Sequence, residues 1–284
     1  MALRLRDLLV GSFAELRVEP TARRVRATLD GEIVVESQRA MLVWESRHVV
    51  PYYAVPAEDV RAELRPVPVP ADADSQLVTL APEGLAAGAV SIVRPGSFTR
   101  HTVGGEELSI RFAGGDRHRA AFRFTDPDLS GYIGLDFGAF DAWFEEDTQI
   151  VAHPRDPFHR VDVLRSSRRV RVESGGRVLA ESTRPRLLFE THLPVRFYLP
   201  PEDVTEGLLR PSATRTTCAY KGEATYWSLA VEGGTADVAW SYPRPLAEAA
   251  DIAGMIAFFD EHVDVVLDGQ RRERPRTPWS ASGS

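Results

Sequence analysis

Apolar and polar positions alternate with period two through much of the chain, the mark of half-buried strands. In 168–173, Val170 and Val172 alternate with charged residues; Gly175-Gly176 then supplies a turn and 177–181 returns. This predicts a β-hairpin. Short strands are also predicted at 186–190, 195–199, 238–242 and 263–267. Residues 216–231 read either as one long strand or as a hairpin around Lys221-Gly222. Pro200-Pro201-Glu202-Asp203 reads as the start of a helical turn, with proline early and acids at its N-terminus. Only one kind of stretch changes period. Leu246, Ala249, Ile252, Ala253, Ile256 and Phe259 recur at helical spacing and predict a helix over about 245–261. Leu129, Ile133, Phe137, Phe140 and Phe144 predict its counterpart over about 128–145.

That counterpart belongs to a tandem repeat. Shifting the sequence by 145 positions lays 23–45 on 168–190, with about ten of the 23 positions identical. Arg24, Gly31, Glu36, Ser37, Arg39, Leu42 and Glu45 meet Arg169, Gly176, Glu181, Ser182, Arg184, Leu187 and Glu190. Pairing Arg94-Pro95 with Arg210-Pro211 implies an insertion in the first copy, at about 66–90, rich in Pro, Ala and Asp and expected to be an exposed loop. A shift of 118 then pairs Phe122 with Trp240, Phe124 with Tyr242 and Phe140 with Phe258. The expected fold is mainly β (α+β): two repeated β-sheet domains, each with one packed helix. Their expected bounds are 13–148 and 158–269, with a connector at 149–157 and a flexible tail at 270–284.

Composition narrows the function classes. Of 284 residues, 43% are hydrophobic and 26% charged, which is ordinary for a globular chain. No apolar run reaches the length of a membrane span, and the start of the chain is too charged for a signal peptide, so a cytoplasmic location is expected. A net charge of −7 argues against nucleic acid as the partner. The single cysteine, Cys218, excludes an intrachain disulfide and a cysteine-built zinc site, and no metal site is expected. The chain contains no Asn and one Lys, Lys221; its other basic residues are Arg. In a sequence that writes Arg wherever a positive charge suffices, a lone Lys points to a place where a compact, titratable amine is needed.

Several words in the second copy carry a resemblance: Glu202-Asp203-Val204, Ala239-Trp240-Ser241-Tyr242-Pro243 and, most specific, the run from Thr217-Cys218-Ala219-Tyr220-Lys221-Gly222-Glu223-Ala224 to Ser228. They resemble the bacterial "domain of unknown function 427" family in its two-copy actinobacterial form, over nearly the whole chain. The resemblance implies a compact, mainly β domain similar to the β-tent or Mss4-like arrangement. Members are sometimes labelled nucleotidyltransferases. This sequence has neither a Gly-Ser followed at about ten residues by Asp-x-Asp nor a GxxxxGK[ST] phosphate loop.

Lys221, Glu223, Cys218 and Tyr220 form the sharpest candidate cluster. On a straight strand Lys221, Glu223 and Trp227 share one face and Cys218 and Tyr220 the other; a turn at Gly222 would let all four meet. A buried lysine with a lowered pKa suits a nucleophile, whereas one beside a carboxylate stays charged and suits anion binding. The plainer reading is an exposed Lys–Glu pair with the cysteine packed as a small hydrophobe. Counting from Pro95 and Pro211 sets Gly105 opposite Lys221 and Glu107 opposite Glu223, so any such site belongs to the second copy. Glu190 is a candidate acid or base, and His192, on a predicted loop two residues on, a candidate base or a solvated side chain. Arg196 suits an anion clamp or an edge-strand guard, and Tyr198 alternates with it along the strand. Tyr226 and Trp227 could line a planar ligand, although strand aromatics also build cores. His153, Arg155, Asp156, His159 and Arg160 read as a rigid connector rather than a metal site. These residues point to a small-molecule ligand or reaction in the second copy, with cofactor unknown. A non-catalytic interaction module is the alternative, and nucleotidyl transfer a third reading that rests on the family label alone.

Overall fold

The computed structural model describes residues 2–68, 77–80, 89–231 and 233–280. The chain divides into two compact units, Met1–Val78 with Ser91–Asp156, and Thr79–Val90 with Pro157–Ser284. Each unit is built from two antiparallel sheets. In the second, a seven-stranded sheet runs in the order Val161–Arg165, Arg186–Glu190, Arg196–Leu199, Ile256–Phe258, Ala239–Ser241, Gly222–Leu229, Leu209–Cys218. A four-stranded sheet holds Arg177–Ser182, Val170–Ser174, Asp264–Leu267 and Gln270–Arg271. The first unit has the same pair of sheets. Its large sheet runs Arg17–Pro20, Met41–Trp44, Tyr52–Pro56, Tyr132–Leu135, Gly115–Phe124, Gly105–Phe112, Glu63–Pro66. The mainly β expectation holds, and one topology is used twice.

Alternation along the strands places the core. In the second unit Phe197, Leu199, Ala239, Ile256 and Phe258 leave the large sheet on one side and meet Val170, Val172, Val265 and Leu267 of the small sheet. Their neighbours along the same strands leave on the other side, where Leu188, Tyr198, Trp240, Tyr242 and Ala257 form a second cluster. Fully burying one such aliphatic or aromatic side chain contributes about 1.5–3 kcal/mol, so the inter-sheet core suffices to set the strand register. The first unit repeats this, with Tyr53, Val55, Ile133, Leu135 and Trp143 between the sheets and Tyr52, Phe122 and Phe124 on the outer face.

The two helices predicted at about 245–261 and 128–145 do not form. The sole α-helix among the described residues is Leu5–Gly11. Residues Ala247–Ile252 make a 3-10 helix that buries Ala249 and Ile252; Gly254, at φ +68°, breaks it, and Ile256–Phe258 enters the large sheet. A strand buried on both faces is a continuous apolar run, which periodicity alone cannot tell from a helix. The first copy spends the same stretch on 3-10 turns at Pro127–Leu129 and Phe137–Ala139 and strands at Tyr132–Leu135 and Ala142–Glu145. Gly134 lies in the first of these strands because a Cβ there would sit 2.7 Å from the Tyr52 ring.

Other expectations need correction at particular places. Within the insertion expected at 66–90, Leu77–Leu80 is a strand, as is Val90–Val93 at its end, and 69–76 and 81–88 lie outside the described residues. The tail expected to be flexible from 270 is in part packed. Gln270–Arg271 pairs with Asp264–Leu267, and Thr277 is buried with its hydroxyl 2.5 Å from Glu261 Oε1. The Glu-Asp pairs sit in matching 3-10 turns, Ala57–Asp59 and Pro201–Asp203. Arg39 and Arg184 bridge them at 3.0 and 3.1 Å, and at 2.9 and 3.1 Å.

Candidate functional site

The segment 216–231 is a hairpin, the second of its two predicted forms. Leu209–Cys218 pairs with Gly222–Leu229, Cys218 opposite Gly222, and Ala219, Tyr220 and Lys221 make the turn. Gly222 has φ +88°, a conformation that favours glycine. The turn swings Lys221 inward. Its side chain is 9% exposed, and its Nζ lies 2.5 Å from Glu190 Oε2. Glu223 points outward and is exposed, so the expected Lys221–Glu223 pair is replaced by one with a residue 31 positions away.

The ion pair has two further members. His159 Nε2 is 3.1 Å from Glu190 Oε1, and its ring stacks on Tyr220 at 4.3 Å between centroids. The half-buried Cys218 sulfur accepts from the Tyr220 amide at 3.5 Å, and Cys218 is a further group that raises the Lys221 amine. Burial pushes the Glu190 carboxyl up, but the Lys221 ammonium and the His159 hydrogen bond prevail and hold it at about 2. Burial likewise pushes the Lys221 amine down, yet Glu190 outweighs it and raises the amine above its ordinary value. Lys221 is therefore protonated across physiological pH and acts as a fixed charge rather than as an amine nucleophile.

A second buried charge cluster lies on the same sheet face. Arg196 donates to Glu261 through both terminal nitrogens, at 2.9 and 2.6 Å, and Asp260 lies 3.7 Å away. Its guanidinium sits 5.5 Å over the Trp240 ring, 5.8 Å over Phe259 and 5.9 Å over Trp279. The clamp is thus already occupied by carboxylates of the chain itself. Burial drives Asp260 up to about 6, against the pull of Arg196. A carbon-13 NMR titration should find its carboxyl midpoint near pH 6; a midpoint near 4 would show that water reaches it. Because this folded value exceeds the unfolded one, the stability linked to Asp260 is complete below about pH 4 and is lost as pH rises through 6.

Between these clusters aromatic and aliphatic side chains share the outer face. Trp240 Nε1 donates to Tyr198 Oη at 2.9 Å, and Trp240 and Phe259 lie 4.4 Å apart. Tyr226, half-buried, stacks on Phe259 at 6.5 Å, and its hydroxyl meets Thr216 at 2.7 Å. Cys218 packs into this aromatic cluster. Of the sequence candidates, Lys221, Cys218, Glu190, Tyr220, Tyr226, Arg196 and Tyr198 come to this one face, whereas Trp227 packs against the inter-sheet core. His192 takes a left-handed conformation, φ +66°, in the turn after Glu190. Sequence reasoning missed His159, Asp260, Glu261 and Phe259 as members. Only Glu261 beside Asp260, two acids preceding a strand, offered a signal.

Sheet register also revises the repeat correspondence. Phe122 pairs with Gly134 and Glu107, as Trp240 pairs with Ala257 and Tyr226. Pro66 opposite Leu108 matches Pro211 opposite Trp227, so the partner of Arg210-Pro211 is Arg65-Pro66 and not Arg94-Pro95. Likewise Leu135 matches Phe258, in place of Phe140. Thr102, not Gly105, then stands where Lys221 does, and each reaches the equivalent buried glutamate of its own unit, Glu45 or Glu190. Glu45 accepts from the Thr102 amide, from Tyr52 Oη at 2.7 Å, and faces His101 Nδ1 at 2.6 Å. The buried glutamate with a histidine against it belongs to both units. The ammonium and the thiol belong to the second alone. Among the described residues no group of three or more His, Cys, Asp or Glu side chains is placed to hold a metal ion, and no helix is long and apolar enough to cross a membrane.

No curated protein matches the chain. A family model described as a domain of unknown function (DUF427) matches residues 17–72 and 162–269, more than half of the chain, with one segment in each unit. The repeated two-sheet topology and this match together assign the chain to the DUF427 family.

Proposed function

We propose that the outer face of the large sheet in the second unit binds a planar small molecule in a cytoplasmic protein. The observation that carries the reading is that the only lysine of the chain is buried in an ion pair near the half-buried Cys218, on a face that also carries the rings of Tyr198, Tyr226, Trp240, Tyr242 and Phe259. Tyr226 and Phe259 are half-buried and Trp279 is 39% exposed, so their rings are reachable and suit stacking. Both cationic side chains are matched by carboxylates, which favours a neutral ligand over a polyanion, and the net charge of −7 disfavours nucleic acid.

Trp240 and Trp279 flank this face, so binding is readable as quenching of tryptophan fluorescence. In a screen of planar heterocycles against the full chain, hits are expected to quench this signal, and Phe259→Ala is expected to weaken them at least about tenfold, the loss of one stacking partner. Hits that bind Phe259→Ala as well as the parent chain would sink the reading.

A further inference from the structure

The first unit holds a cavity of about 140 Å³. Its walls include His48, Tyr52, Phe98, Asp136, Phe137 and His153. An apolar cavity of about this size accommodates benzene, so the space suits a ligand of roughly six heavy atoms.

Two of the side chains that line it, His48 and Asp136, carry acceptors. His48 Nε2 lies 2.9 Å from the Arg100 carbonyl oxygen; a carbonyl only accepts, so Nε2 carries the proton and Nδ1 is a bare acceptor. Burial pushes the His48 imidazole down from its ordinary value, which keeps the ring neutral at pH 7. Asp136 uses Oδ1 to cap the 3-10 turn at Phe137–Ala139, accepting from the Gly138 amide at 3.0 Å. Its Oδ2 has no hydrogen-bond partner among the described residues. Among the described residues no Lys or Arg lines the cavity. The charged groups behind it are already engaged: Glu45 is paired with His101, and Arg17 donates to the His48 carbonyl at 2.5 Å. The hydroxyl of Tyr52 is committed to Glu45. Phe98 meets the Tyr52 ring edge-on at 5.1 Å, leaving an aromatic wall.

A carboxylate oxygen and an imidazole nitrogen that both need donors, set among aromatic and aliphatic walls, match a cation with several N–H groups and an apolar tail. A bare metal ion fits less well, because no three ligating side chains converge among the described residues. We propose that this cavity is a binding site for a small primary alkylammonium ion, with Asp136 and His48 as its acceptors.

The test is a titration of the full chain with n-butylammonium chloride, followed by calorimetry and by ¹⁵N NMR, with n-butanol and sodium butyrate as probes of equal shape. Saturable binding is expected at about millimolar affinity, in line with six heavy atoms. Butanol should bind at least about tenfold more weakly and butyrate should not bind. Shifts should centre on His48, Phe98 and Asp136. Asp136→Asn keeps an oxygen for the Gly138 amide and should lower butylammonium affinity at least about tenfold, with the amide spectrum elsewhere unchanged. Equal binding of butanol and butylammonium would overturn the proposal, since it would show an apolar hole and nothing more. So would absence of saturation, or undiminished binding by Asp136→Asn. If that variant fails to fold, the comparison of the three probes on the parent chain still decides.

Discussion

Replacing Lys221 with Met is expected to destabilise the second unit by about 3–5 kcal/mol, the usual penalty for leaving one member of a buried ion pair without its partner. Met would strand the Glu190 carboxylate, 8% exposed, beside His159. Holding Glu190 at about 2 instead of 4.5 corresponds to about 3 kcal/mol, which agrees in size. The sign with pH follows. In the parent chain the folded value is depressed, so this stability is complete above pH 4.5 and is lost as pH falls toward 2. Without the ammonium, burial dominates and the folded value rises above 4.5, so the variant loses least in acid and most at neutral pH. Urea denaturation at pH 5 and pH 7.5 measures this. Lys221→Met combined with Glu190→Gln should recover most of the loss, because neither charge is then left alone. A loss under about 1 kcal/mol for the single variant would show that the pair behaves like a surface salt bridge.

Arg196→Met should cost about as much, roughly 3–5 kcal/mol at pH 7.5, for a related reason. One guanidinium serves two buried carboxylates, and its removal leaves Asp260 and Glu261 facing each other. Burial pushes Glu261 up, and its hydrogen bond and charge contact with Arg196 lead the effects that hold it below its ordinary value; in the variant that restraint disappears. Both folded values then lie above the unfolded ones, so stability returns as pH falls and the deficit at pH 5 should be clearly smaller than at pH 7.5. The substitution also removes the cation from above Trp240, Phe259 and Trp279, which should alter the tryptophan emission of the folded chain. A deficit that does not change between the two pH values would mean that the carboxylates reach water once the guanidinium is gone.

The helix predictions failed for a reason visible in hindsight at single residues. Gly131, Gly134 and Gly138 punctuate the first stretch and Gly254 the second, and three of these four have or border conformations that a helix interior would not use. Apolar spacing identified many of the residues to bury, Leu129, Ile133, Phe140, Ala249, Ile252 and Ile256 among them, although Leu246 and Ala253 of the same pattern are exposed. It did not identify the element that buries them. The repeat comparison failed at another point, where two Arg-Pro words compete. The strand register selects Arg65-Pro66, because Pro66 faces Leu108 as Pro211 faces Trp227.

What the amino-acid order settled by itself was the repeated, mainly β architecture, the strands carried by two-residue alternation, and the isolation of Lys221 and Cys218 in one copy. These are local or self-similar properties, and they survive without knowing which strand lies beside which. Tertiary structure alone decided that Lys221 meets Glu190 rather than Glu223, that His159 completes that cluster, and that Arg196 is spoken for by Asp260 and Glu261. Each of these contacts joins residues 31 to 65 positions apart. The partner in each case is set by sheet register and by the positive φ at Gly222, quantities that depend on how the whole core packs.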